Sequence, residues 1–142
     1  MMTDDTNTFV LFPLGKKRFA LPAEKVTELA KPDRLQTFPQ RTPLMTGVLV
    51  RRGRIVPVCD VAQALIGRDA PAGKFYLIAN RQFESRREWT AIPVTGECEL
   101  TNVQPQQPQS KLPEYVLGVL SLENEIVEVL NLEKLIAAEA SA

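Results

Sequence analysis

Gly47-Val-Leu-Val-Arg-Arg-Gly-Arg-Ile-Val-Pro-Val-Cys-Asp-Val61 and, 71 residues further on, Gly118-Val-Leu-Ser-Leu-Glu-Asn-Glu-Ile-Val-Glu-Val-Leu-Asn-Leu132 are two versions of one segment. Each alternates apolar residues into a turn, at Arg52-Gly53 or Glu123-Asn124, and returns through Ile55-Val56 or Ile126-Val127. Period-two apolar runs joined by Gly or Asn, residues that accept positive φ, read as β-hairpins. At the same offset Ala20-Leu-Pro-Ala-Glu-Lys-Val-Thr-Glu-Leu29 falls on Ala91-Ile-Pro-Val-Thr-Gly-Glu-Cys-Glu-Leu100. Either agreement alone is what chance allows between apolar strands; two at one offset indicate an internal duplication. A period of half the chain is too long for a solenoid repeat and suits two similar small lobes.

The rest of each half follows the same grammar. An apolar opening run, Phe9-Val-Leu-Phe12 or Phe75-Tyr-Leu-Ile78, leads through a charged turn, Gly15 to Arg18 or Arg81 to Glu88, into a second apolar segment. Pro22 and Pro93 close those segments, since proline cannot donate to a ladder. Asp60 and Asn131 are N-cap residues for short helices over 61–66 and 132–137. Turn-rich connectors span 67–74 and 104–113. The expected fold is all-β dominated: two small five-stranded barrel lobes of SH3/OB-like type, each ending in a short helix. Residues 1–8 read as a disordered N-terminal arm, 9–137 as a single two-lobed domain and 138–142 as a C-terminal tail.

Composition narrows the function. Lys plus Arg equals Asp plus Glu at 17 each, so no net field draws the whole chain toward nucleic acid or an anionic membrane. The chain has no histidine, which removes the commonest general base and metal ligand. Ser85, Ser110 and Ser121 therefore lack an activating partner, and Glu97 with Glu99 stand without a nucleophile. Cys59 and Cys98 have no Cys-x-x-Cys spacing and read as buried free thiols in a reducing compartment. No apolar run approaches the roughly 20 residues of a membrane span, and Met1 to Thr8 is polar and acidic. These features point to a soluble cytoplasmic protein with no catalytic, metal or cofactor site and no membrane insertion. Basic clusters at Arg51-Arg52-Arg54, Lys16-Lys17-Arg18 and Arg86-Arg87 sit in expected turns, where charge is normally solvated. A nucleic-acid-binding small barrel is the alternative, and it needs aromatics interleaved with basic residues; Phe83 and Trp89 beside Arg86-Arg87 are the one such combination.

The stretch Pro43-Leu-Met-Thr-Gly-Val-Leu-Val-Arg-Arg-Gly-Arg-Ile-Val-Pro-Val-Cys-Asp-Val61 resembles the signature of the CheW-like domain family: a proline leading into Gly-Val, an Arg-Gly turn and Ile-x-Pro-Val-x-Asp. Phe19-Ala-Leu, Val26-Thr-Glu-Leu29, Tyr115-Val-Leu-Gly-Val-Leu and 126–135 are similar to further family stretches, so the resemblance covers nearly all of 9–136. It implies two lobes of duplicated origin with segments exchanged between them. It also implies a non-catalytic adaptor that couples chemoreceptor cytoplasmic tips to the regulatory domain of a CheA-type histidine kinase, with no nucleic acid involved. Carried over by position, the resemblance places Val26, Leu29, Val48, Leu49, Val119 and Leu120 at a groove between the lobes. Glu28 and Arg52, in the Arg52-Gly53 turn, would pair across the sheet beside it. Three departures stand out: Val50-Arg51 where the family has Asn-Leu, Thr90-Ala-Ile-Pro-Val94 in place of Gly-Leu-x-Val-Asp, and Asn131 where Asp is usual. They leave open a CheW-like module serving a non-flagellar motility or gene-regulatory pathway.

Overall fold

The computed structural model describes residues 7–31, 35–37, 45–68, 75–83, 85–107 and 111–140. Its strands are β1 (Thr8–Leu14), β2 (Lys17–Pro22), β3 (Val26–Ala30), β4 (Leu35–Thr37), β5 (Met45–Arg51), β6 (Arg54–Cys59), β7 (Phe75–Phe83), β8 (Arg86–Val94), β9 (Glu99–Asn102), β10 (Val116–Leu122) and β11 (Glu125–Leu130). Two helices follow the two Gly-Val hairpins, α1 (Ala62–Ile66) and α2 (Leu132–Ala140). No described helix is long and apolar enough to cross a membrane.

One sheet runs β10-β11-β2-β1-β9 and the other β4-β5-β6-β8-β7-β3. The duplication read from the sequence maps one order onto the other, with an exchange: each repeat gives its opening hairpin to the sheet of the other repeat. β1-β2 joins β11 through a parallel pairing of Val129 with Ala20, and β7-β8 joins β6 through the pairing of Val58 with Ala91. Those residues are related by the same 71-residue offset. Pro22 faces Phe9 as Pro93 faces Tyr76, so the β7-β8 hairpin is the longer one, and its extra residues lengthen the strands between Arg81 and Glu88 rather than forming a turn.

The exchanged hairpins are buried on both faces, and the sequence shows it as unbroken apolar runs instead of alternation. In β1, Val10, Phe12 and Leu14 enter a central core, while Phe9 and Leu11 enter the interior of the five-stranded lobe. In β7, Leu77 and Ala79 enter the central core and Ile78 the interior of the six-stranded lobe. Cys59 and Val61 from the first repeat meet Leu130, Leu132 and Leu135 from the second in that same central core. The junction is thus the largest apolar cluster among the described residues, not a loose contact between two finished lobes.

The expected two-lobe, mostly β fold is present, with two details refined. The lobes are unequal, five-stranded and six-stranded, where two five-stranded lobes were expected. Nor are they closed barrels, because no hydrogen-bonded ladder among the described residues joins the outermost strands. In the five-stranded sheet a short connector crosses the open seam: β9 ends at Asn102, and Gln106 already exchanges two 2.8 Å backbone bonds with Val119 of β10. Twist rolls the sheets, and the Gly118 and Gly47 bulges bend the strands at the seam.

Local expectations fared unevenly. Asn131 Oδ1 accepts the backbone N–H of Lys134 at 3.0 Å, a regular N-cap, whereas Asp60 Oδ1 accepts from Ala62 one residue ahead of the α1 cap. α2 continues to Ala140, past residue 137, and β1 begins at Thr8; of the stretch read as an arm, residues 1–6 lie outside the described residues. Asn124 does not take a positive φ. Among the described residues the only non-glycine that does is Arg52, at 53°, followed by Gly53 at 74°. Two successive positive φ values make the mirror-image turn that suits the twist of a two-residue hairpin.

A Cβ built on Gly118 would stand 2.9 Å from the Gln106 carbonyl oxygen, backbone that cannot swing aside. Gly118→Ala is expected to cost about 1–3 kcal/mol in urea unfolding, as overpacking does, with Gly96→Ala as the nearly neutral control. Both cysteines are free; burial raises the Cys59 thiol and pushes Cys98 up to about 11. Iodoacetamide labelling of native Cys98 at pH 8 should therefore be slower than in the unfolded chain by about two orders of magnitude, accelerating with pH up to about 11.

Candidate protein-interaction site

Glu28 sits on β3, the outer strand of the six-stranded sheet, opposite Ile78 of β7, just after a bulge between Val26 and Glu28. Arg51 ends β5 and Arg52 occupies the turn into β6, near the other end of the sheet's strand order. Rolling the sheet brings these distant strands together. Glu28 Oε1 accepts from Arg51 Nε at 2.9 Å and also from its terminal nitrogen, and Oε2 accepts from Arg52 Nε at 3.0 Å. Both carboxylate oxygens are engaged, and the Glu28 side chain is only 15% exposed against 66% for Arg52. The Arg51 hydrogen bonds hold the Glu28 carboxyl below the ordinary carboxylate range; burial opposes this, and Arg52 reinforces it. The cluster ties the open seam that backbone pairing leaves.

The five-stranded lobe solves the same problem with the charges inverted. Glu99 of β9 is the repeat equivalent of Glu28, and it takes a 3.0 Å bond from Arg18 of β2, which also pairs with Glu125 of β11. The Glu125 bond is the largest cause that raises the Arg18 guanidinium further above its ordinary range. One lobe has a carboxylate between two arginines, the other an arginine between two carboxylates. Glu97 lies outside β9, so the Glu97/Glu99 pair does not share a strand face.

The expected Glu28–Arg52 pair is therefore present, and Arg51, read from the sequence as a departure from the family pattern and as part of a solvated basic cluster, is the more heavily engaged partner of Glu28. A signal for Arg51 existed in the sequence. Arg51 and Arg54 flank a two-residue turn and face each other in register, and like charges opposite one another call for a nearby carboxylate. The apolar candidates divide. Val26 and Leu29 are half-buried against the central core, and Val48 is half-buried on β5. Leu49 and Leu120 have no exposed surface and sit in the lobe interiors, and Val119 retains 9%, so these three offer a partner almost nothing to touch. The apolar side chains that do reach solvent are in the opposite phase of the same strands: Val50 and its cross-strand neighbour Ile55, with Leu117 and Ile126 in the other hairpin. Gly53 takes a positive φ in the turn.

Taken together, the fold defines a two-lobed β protein in which paired repeats trade hairpins across a common core. Comparison with protein families puts the chain in one group: a CheW-like domain model matches residues 8–140, and the chain belongs to the CheW-like domain family. Among solved structures it is similar to scaffolding protein TtCheW from Thermoanaerobacter tengcongensis, with a TM-score of 0.75 and 18% identity, covering 94% of this chain and 89% of that one. At that identity the likeness is one of fold. No curated protein matches the chain.

Glu28→Gln should lower stability by about 1–2 kcal/mol at neutral pH, between the worth of an exposed pair and that of a charged hydrogen bond. The pH dependence follows from the lowered native pKa. The contribution is fully present above the unfolded carboxylate value of about 4.3 and disappears as pH falls through the native value. Parallel urea titrations of wild type and variant should thus differ at pH 7 and converge at strongly acidic pH.

Proposed function

We propose that this chain is a non-catalytic adaptor of a bacterial chemosensory complex. It joins chemoreceptor cytoplasmic tips to the regulatory domain of a CheA-type histidine kinase, in the cytoplasm and without a cofactor. The observation that carries the proposal is the CheW-like match over residues 8–140, which spans both lobes and the exchange between them. The likeness to a protein described as a scaffold agrees with it.

The geometry suggests which residues take part. Half-buried Val26, Leu29 and Val48 flank the Glu28 node, and the node holds β3 against the β5-β6 corner so that this surface keeps its shape. Arg52 is the exposed member, and its backbone pays for its position. An arginine at φ 53° costs about 1 kcal/mol relative to Asn or Gly in the left-handed region. A strained, exposed, charged residue at a turn where Asn-Gly would be the favoured pair fits retention for contact rather than for folding.

The test is calorimetric titration of the protein with the regulatory domain of the CheA-type kinase of its own organism and, separately, with that organism's receptor tips. Saturable binding to both is expected. Binding of the folded protein to neither overturns the adaptor assignment. Arg52→Asn should leave stability unchanged or slightly raised while weakening at least one of the two titrations about five- to ten-fold. Unchanged affinity in both titrations would leave Arg52 with no part in contact.

A further inference from the structure

The two parallel seams, β2-β11 and β6-β8, are repeat equivalents, and they are built differently. In the five-stranded lobe Glu128 pairs with Phe19 and Val129 with Ala20. In the six-stranded lobe only Val58 pairs with Ala91, and Pro57 stands at the position equivalent to Glu128. Proline has no N–H to give to a ladder, so this seam loses its pairing one residue sooner. Where it opens there is a cavity of about 300 Å³, lined in part by Arg54, Ile55, Arg86, Arg87, Glu88 and Trp89.

Charge differs as well. The Arg18–Glu125 ion pair zips the first seam; the equivalent positions in the second are Trp89 and Arg54, whose guanidinium lies 4.1 Å over the indole ring. Arg86 reaches Glu88 at 3.4 Å. Among the described residues Arg54 and Arg87 have no carboxylate at ion-pair distance, and Arg86 shares Glu88 with Arg81. The imbalance extends to the lobe. Residues 26–94, which hold every strand of the six-stranded sheet, carry eleven Lys/Arg against six Asp/Glu, a net +5; the remainder carries six against eleven, a net −5. The overall neutrality of the chain conceals two oppositely charged lobes.

We propose that the β6-β8 seam is a docking slot for an acidic, extended peptide segment of a protein partner, whose carboxylates supply the countercharge that Glu125 supplies in the other lobe. Guanidinium groups in a partly enclosed slot favour carboxylates by charge-assisted hydrogen bonding, and the field of the +5 lobe steers an acidic segment toward it. Ile55, 73% exposed at the slot, offers an apolar side chain the shelf that a peptide uses. A nucleic acid fits less well, because the Trp89 face on which a base would stack is already covered by Arg54. The slot shares the β5-β6 hairpin with the Glu28 node but uses different side chains, so it does not depend on the adaptor reading.

Trp89 is the chain's one tryptophan, so emission excited at the red edge, where the two tyrosines do not absorb, reports this slot alone. The experiment titrates the full chain with a synthetic octapeptide of alternating glutamate and leucine, alongside its lysine–leucine counterpart and an eight-nucleotide thymidine strand. Expected is a saturable change in Trp89 emission with the acidic peptide alone. Binding should weaken about ten-fold in Arg87→Glu and in Arg86→Glu, both exposed positions whose folding circular dichroism verifies, and stay unaltered in Lys16→Asn, an exposed position in the turn between β1 and β2 of the other lobe. No emission change, equal binding of the lysine–leucine peptide, tighter binding of the thymidine strand, or affinities unaffected in both glutamate variants would each overturn the proposal.

Discussion

The burial of β1-β2 and β7-β8 on both faces is the constraint on which the rest of the structure depends. A hairpin with one apolar face can finish a sheet; a hairpin with two must be covered from both sides, and neither repeat has enough apolar surface to do that alone. Exchange satisfies the requirement. Each opening hairpin turns one face to the interior of the lobe it joins and the other to the shared central core, where Phe12, Phe19, Leu77 and Ile92 meet residues from both repeats. The lobes are consequently one cooperative body, because unzipping either hairpin would expose the core of both.

Given that architecture, each sheet is left with an open seam, and side chains complete what backbone pairing does not. Glu28 with Arg51 and Arg52 ties one lobe; Arg18 with Glu99 and Glu125 ties the other. Only the carboxylate is shared by repeat position, Glu28 matching Glu99; the arginines that meet it come from non-equivalent positions, so each lobe ties its strands with a different set of side chains. The lobes also differ electrostatically, net +5 against net −5 within a chain of zero net charge.

Much of this was legible in the residues. The repeat, the hairpins, the terminal helices and the Asn131 cap follow from local periodicity and side-chain chemistry, which act within a few residues. The Glu28–Arg52 pairing came from resemblance and is present. Arg51 was overlooked because its role depends on a carboxylate 23 residues away, brought near by the roll of the sheet. Leu49 and Leu120 were placed at the groove by the resemblance alone, and alternation marks two strand faces without saying which one is inside. The turn at Glu123-Asn124 looked like its counterpart at Arg52-Gly53, yet only the latter takes positive φ at a non-glycine residue.

What the sequence by itself determined was the set of strands, their hairpin pairing and the twofold repetition, since these rest on alternation, turn chemistry and short-range contact. Tertiary structure decided which repeat owns each hairpin, the count of five and six strands, the open seams and the gathering of Arg54, Arg87 and Trp89 at one slot. The physical reason is that strand order across the parallel junctions of β2 with β11 and β6 with β8 is a long-range choice. Many orders satisfy the same local pattern, and only packing of both faces of the exchanged hairpins selects one.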